Sequence, residues 1–178
     1  NRFEATRDKV QKYLNAKHRE EIIFTKGATE AINLVASSYG RKYIKKGDEV
    51  LITELEHHSN YVPRNFLRTE KGAVIKFAQV NEDGDVEIDE IKKLITNKTK
   101  MIAITHISNV TGAVLPITKI VDLAKEKNIP VLIDGTQGAP HSEIDLQKIG
   151  CDFYAISCHK MYGPNGLGIL YMKKKWVD

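Results

Sequence analysis

Apolar and polar positions alternate along this chain in blocks of two kinds. Residues 1 to about 18 place Val10, Tyr13 and Leu14 at helical spacing among charges, which predicts an amphipathic opening helix. Glu21–Thr25 is a short β-rich run ended by Gly27, and a second helix is expected from Thr29 through Ser38, with Ala31, Ile32, Leu34 and Val35 on its buried side and Gly40 beyond its end. The same alternation then continues: strand 49–53, helix 59–70, strand 73–79, helix 87–96, strand 100–105, helix 117–127 and strand 130–134. Strands separated by helices imply crossover connections and a largely parallel sheet. Met101–Thr105 and Val131–Ile133 lack polar relief, as strands covered on both faces should. Strands 152–157 and 167–172 are joined by a Gly163–Gly166 link too short for a crossover helix, so they should pair antiparallel. The expected fold is a three-layer α/β/α domain spanning 1–178, its sheet mostly parallel with one antiparallel strand near the C-terminus.

Composition narrows the class. With 42% hydrophobic and 28% charged residues among 178, the chain has the profile of a soluble globular domain large enough for one core. The net charge of +4 is spread along the sequence and not gathered in a basic block, so nucleic acid is not implied. No apolar stretch approaches the eighteen or so residues that span a bilayer, and the charged opening carries no signal core. Cys151 and Cys158 are too few for a disulfide framework and too widely spaced for the close pairs of zinc sites, which fits a reducing, cytoplasmic setting. The absence of an initial Met and the end at Asp178, straight after a strand, lead us to expect a piece of something larger.

In open α/β sheets ligands bind beyond the carboxyl ends of the strands, so polar residues just past strand ends are the candidates. Gly27–Glu30 offers free N–H groups and the Thr29 hydroxyl to a phosphate, although alone it reads as readily as an ordinary Thr-capped helix start. His57 and His58 are adjacent and so lack the i,i+4 spacing of a helical metal pair; Asn109 lies in what could be a plain polar turn. Asp134 ends an apolar strand, where a buried carboxylate needs a cationic partner or strong donors, unless it merely caps a helix. Lys160 stands past strand 152–157 beside a Gly-rich turn whose glycine spacing is wrong for a dinucleotide fingerprint, and no Gly-Lys-Ser/Thr phosphate loop is present. An acid, an amine and a phosphate-ready helix start on one sheet edge together suit pyridoxal phosphate, whose ring nitrogen, aldehyde and phosphate ask for these three groups.

Five motifs in order then carry a resemblance: Gly27-Ala-Thr-Glu-Ala-Ile-Asn33, Glu56-His-His-Ser-Asn60, His106-Ile-Ser-Asn-Val-Thr-Gly112, Asp134-Gly-Thr-Gln137 and Ser157-Cys-His-Lys-Met-Tyr-Gly-Pro164. Together they resemble the cysteine desulfurases of the SufS/CsdA type, within the class V pyridoxal-phosphate aminotransferases, over essentially the whole chain. The resemblance implies the large domain of a fold-type I pyridoxal-phosphate transferase without its small C-terminal domain. It implies that Lys160 holds the cofactor covalently and later moves protons, that Asp134 pairs with the ring nitrogen, that Gln137 meets the ring oxygen, and that His57 stacks on the ring and acts in acid–base steps. Thr29, with the N–H of Ala28 or Thr29, joins Ser157 and His159 around the phosphate, and Asn109 sits beside the ring near the substrate carboxylate. Such enzymes convert L-cysteine to L-alanine, leave sulfur as a persulfide on an enzyme cysteine, pass it to an acceptor protein for iron–sulfur assembly, and work as homodimers. The family's nucleophilic cysteine and carboxylate-binding arginine lie beyond this sequence, and Cys158 stands where these enzymes often have Gly. A selenocysteine lyase, another class V enzyme, or a noncatalytic domain that keeps the fold are the competing readings.

Overall fold

The computed structural model describes residues 1–177. Among them, one sheet of seven strands runs in the order β1-β7-β6-β5-β4-β2-β3. The strands are β1 Ile22–Thr25, β2 Glu49–Thr53, β3 Val74–Ala78, β4 Thr99–Thr105, β5 Val131–Asp134, β6 Phe153–Ser157 and β7 Gly168–Met172. The pairs β2–β3, β2–β4, β4–β5 and β5–β6 are parallel, whereas β7 lies antiparallel between β6 and β1. The short Gly163–Gly166 link thus produces the expected antiparallel pair.

The helices are α1 Arg2–Tyr13, α2 Ala28–Val35, α3 Arg41–Tyr43, α4 His58–Lys71, α5 Ile88–Leu94, α6 Ile117–Glu126, α7 Gly138–His141 and α8 Leu146–Ile149. They cover both faces of the sheet, and the central strands divide their side chains between the two layers by alternation. Val50, Ile52, Met101, Ala103, Leu132, Phe153 and Ala155 pack with Ala31, Ile32 and Val35 of α2 and Leu67 of α4. Leu51, Ile102, Ile104, Val131, Ile133, Tyr154 and Ile156 pack with α5, α6 and α8 through Ile91, Ile120, Val121, Leu146 and others. Each large aliphatic side chain so enclosed contributes about 1.5–3 kcal/mol relative to exposure. The doubly covered sheet follows from strands that have no polar face.

Several expectations need correction. The opening helix stops at Tyr13, not near residue 18, because Asn15 takes a left-handed φ of 50°; Leu14 is buried, whereas Tyr13 is 61% exposed. Glu21 belongs to a 3-10 turn before β1, where its buried carboxylate accepts the N–H groups of His18 and Lys174. The second helix starts at Ala28 and not Thr29, runs past Ser38 through a π turn, Ala36–Gly40, into α3, and leaves Leu34 on its exposed side. α7 and α8, between β5 and β6, are single turns too short to leave a periodic signal.

Candidate active site

The carboxyl ends of β1, β2, β4, β5 and β6 lie on one edge of the sheet, and the loops that follow them enclose a cavity of about 210 Å³. Ala28, Thr29, His57, Asn109, Asp134, Gln137, Ser157, His159 and Lys160 all line it, together with Ser59, Thr105, Ile107 and Thr136. The last four were not singled out from the sequence.

The β1 loop reaches the site because two glycines meet. A Cβ on Gly168 would stand 2.4 Å from the Gly27 Cα, so only a bare backbone in β7 lets the start of α2 lie flush against the sheet. Gly27, not Thr29, occupies the helix cap. The Ala28 N–H donates to Ser157 Oγ at 2.8 Å, which ties α2 to the end of β6 and leaves the Ser157 hydroxyl proton available to an acceptor. Ala31 N–H already donates to the Gly27 carbonyl and Ala28 N–H to Ser157, so the first-turn N–H groups of Thr29 and Glu30 are left without an acceptor in the helix.

His57 is the N-cap of α4. Its Nδ1 accepts the Ser59 N–H at 3.1 Å and lies 2.8 Å from Ser59 Oγ, so a neutral ring carries its proton on Nε2. The neighbouring His58 is exposed and does not line the cavity. Among the described residues no group of three or more His, Cys, Asp or Glu is placed to hold a metal ion.

In the β4 loop it is Ser108, not Asn109, that bonds the turn, its Oγ accepting from the N–H groups of Val110 and Thr111. Asn109 is thereby exposed at the cavity wall. Asp134 ends β5 and is 5% exposed; its Oδ1 accepts the Thr136 N–H at 3.0 Å, and no cation among the described residues pairs with it. It does not cap a helix, since α7 begins only at Gly138. The Thr136 Oγ1 beside it is buried without a partner. Beneath this turn, Tyr154 donates to or accepts from His106 Nδ1 at 2.9 Å, and both rings press against the glycines of Asp134-Gly-Thr-Gln-Gly138.

β6 stops at Ser157, and a 3-10 turn, Cys158–Met161, carries the chain outward. Lys160 is exposed on the cavity wall, and Cys158 points into the apolar core. Burial pushes the Cys158 thiol above its usual range and the Cys151 thiol further still. Neither sulfur lines the cavity.

A doubly covered α/β sheet here gathers an acid, an amine, a histidine and hydroxyl donors at one strand edge. The Aminotransferase class-V family matches residues 1–178, and the chain belongs to it. It is 46% identical to a probable cysteine desulfurase of Halalkalibacterium halodurans over 176 residues, 99% of this chain and 43% of the relative. It is 48% identical to a cysteine desulfurase of Yersinia pseudotuberculosis over 171 residues, 96% of this chain and 42% of the relative. The fold superposes on the Escherichia coli cysteine desulfurase CsdA with a TM-score of 0.95 at 38% identity, covering 98% of this chain and 44% of that one. For the apo cysteine desulfurase of Thermococcus onnurineus the values are 0.92 and 33%, with 97% and 43% covered. The chain spans less than half the length of the curated relatives it matches. Class V aminotransferases of this kind depend on pyridoxal phosphate.

Proposed function

We propose that this chain is the pyridoxal-phosphate-binding large domain of a cysteine desulfurase, a cytoplasmic homodimer that converts L-cysteine to L-alanine and passes the sulfur through an enzyme persulfide to an acceptor protein for iron–sulfur cluster assembly. Asp134 supports this most strongly: a buried carboxylate that pairs with no cation among the described residues, in the same cavity as the Lys160 amine. An enclosed unpaired carboxylate costs several kcal/mol, and a ring N–H⁺ from a bound cofactor supplies the missing partner. The unpartnered Thr136 hydroxyl and the Ser157 hydroxyl, held by the Ala28 N–H at the start of α2, fit the same group.

Pyridoxal phosphate, when bound, supplies an electrophilic carbonyl carbon and an electron-withdrawing ring. The protein's part is then divided among its own side chains. Lys160 would supply the amine for the cofactor carbonyl and a base for the proton at the substrate α-carbon. Asp134 would keep the ring nitrogen protonated, and Gln137 would hold the ring oxygen. Ser157, whose oxygen is already fixed by the Ala28 N–H, donates its proton to a phosphate oxygen, beside the Thr29 hydroxyl and N–H and His159. His57, its Nδ1 committed to Ser59, moves protons through Nε2, and Asn109 stands where a substrate carboxylate would lie.

The reading assigns the sulfur-accepting cysteine to a segment outside this chain, in agreement with the burial of both local thiols. The test is a titration of the cofactor-free full-length protein with pyridoxal phosphate, followed by alanine and bound-sulfur assays with L-cysteine and L-selenocysteine. Visible absorption from a lysine-bound cofactor and alanine from L-cysteine are expected; alanine from L-selenocysteine alone would move the assignment to a lyase.

A further inference from the structure

Behind His57 the cavity wall is backed by a polar chain, Glu56, Asn60 and Arg64, whose members do not themselves line the cavity. Glu56 Oε1 accepts from Thr53 Oγ1 at 2.6 Å and from the Thr105 N–H at 2.9 Å, and its Oε2 accepts from Asn60 Nδ2 at 2.7 Å. Asn60, wholly buried, accepts in turn from Arg64 Nη2 at 3.2 Å. Arg64 is also wholly buried, and its Nε and Nη1 have no acceptor among the described residues.

A buried charge of this kind is weak evidence for a stabilising role. A packed apolar side chain in place of a buried charge is often neutral or stabilising, so an arginine with two idle donors calls for another role. Its polarity is also fixed from both ends. An amide between an acceptor-only carboxylate and a donor-only guanidinium satisfies both in one orientation, its nitrogen toward Glu56 and its oxygen toward Arg64. Burial pushes the Glu56 carboxyl up to about 7 and the Arg64 guanidinium down to about 10, with the Glu56 charge opposing the latter shift.

The carboxylate joins two parts of the site. Glu56 immediately precedes His57, and Thr105 is the end of β4 that stands in register with Asp134 of β5. We propose that Glu56 is a positioning residue that clamps the His57 turn to the strand end beside Asp134, with Arg64 as its buried counter-charge through Asn60. The relay fixes the gap between His57 and Asp134, and with it the affinity and orientation of the cofactor ring. This rests on the pyridoxal-phosphate reading above.

The test uses cofactor-free full-length protein as wild type, Glu56→Gln, Arg64→Met and the double variant. Each is titrated with pyridoxal phosphate, and visible circular dichroism of the bound ring and amide exchange at Thr105 are recorded. Each single substitution should weaken binding about tenfold and reduce the dichroic band, and the double variant should be no worse than the weaker single, since coupled residues do not add. Thr105 should exchange faster in Glu56→Gln. Wild-type affinity and dichroism in folded single variants, even with lowered thermal stability, or losses that multiply in the double variant, would overturn the proposal. If Glu56→Gln does not fold, Arg64→Met decides by the same two readings. Wild-type protein that binds no pyridoxal phosphate sinks the cofactor reading and the positioning role with it; wild-type binding with unaffected variants sinks the positioning role alone.

Discussion

A methyl group at Gly135 probes how the Asp134 turn is built. Its Cβ would stand 1.9 Å from Tyr154 Cε1, 2.1 Å from Cζ and 2.4 Å from the hydroxyl oxygen. Carbon atoms rest against each other at about 3.5–4.0 Å, so the overlap is well over an ångström. Neither side can withdraw. Tyr154 is fully buried in a strand paired on both edges, its hydroxyl is held by His106 Nδ1 at 2.9 Å, and Gly135 N–H is bound to the Ala155 carbonyl at 2.9 Å. Gly135 is not among the residues with positive φ, so alanine meets no backbone strain and gains about 0.4–1 kcal/mol by restricting the unfolded chain. Overpacking a closed core costs about 1–3 kcal/mol and therefore wins. Gly135→Ala should lower stability by about 1–2 kcal/mol in urea unfolding, roughly 2–8 °C in Tm for a domain of this size. It should also weaken pyridoxal phosphate binding, because the strain is delivered to the residue beside Asp134. Tyr154→Leu clears the ring, so the double variant should be more stable than the sum of the two single losses. Gly135→Ala with wild-type stability and wild-type cofactor affinity would refute the packing argument.

Asp134→Ala in the full-length enzyme should leave the unfolding midpoint near or above that of the wild-type apoprotein but abolish turnover, as measured by alanine formation; unchanged turnover removes the ring-nitrogen role. The Cys158 thiol should react with a disulfide reagent only on unfolding, and Cys158→Ser should leave cofactor affinity unchanged; fast labelling of the native protein contradicts its burial. Glu56 binds its proton more tightly folded than unfolded, since its carboxyl is pushed from 4.5 up to about 7. Across that window the native state holds the extra proton, so stability falls as pH rises from about 4.5 to about 7 and then levels; Glu56→Gln should remove that part of the wild-type curve. The 178-residue chain alone, given pyridoxal phosphate and L-cysteine, should produce no catalytic alanine, because no accessible thiolate lines its cavity.

The order of strands and helices was legible because the central strands are apolar runs and α2, α4 and α6 each keep an apolar stripe, whereas α1 buries none of its residues. What could not be read is which face each strand residue takes: with both faces apolar, Leu51 and Ile52 are interchangeable in sequence and are sorted only by the helices above and below. The short turns α7 and α8 have too few residues for a period, and the π turn at Ala36–Gly40, which buries Tyr39 and Gly40, leaves no periodic signal of its own. The motifs all follow strand ends, and that placement is why their residues line one cavity. Glu56 and Arg64 were not legible, because a glutamate beside two histidines and an arginine on a helix read as solvated charge; only tertiary packing shows that Arg64 is enclosed. The division of labour in the β4 loop was likewise hidden, since Ser108 and Asn109 are equally suited to bond a turn and only the backbone course gives that task to Ser108.

The central claim, that this cavity holds pyridoxal phosphate on Lys160, is tested most directly by borohydride reduction of the cofactor-loaded full-length protein, followed by proteolysis and mass spectrometry of the peptides. A single phosphopyridoxyl group is expected on the peptide that contains Ser157-Cys-His-Lys160. A label on another lysine, or none after reduction of protein saturated with the cofactor, would contradict it.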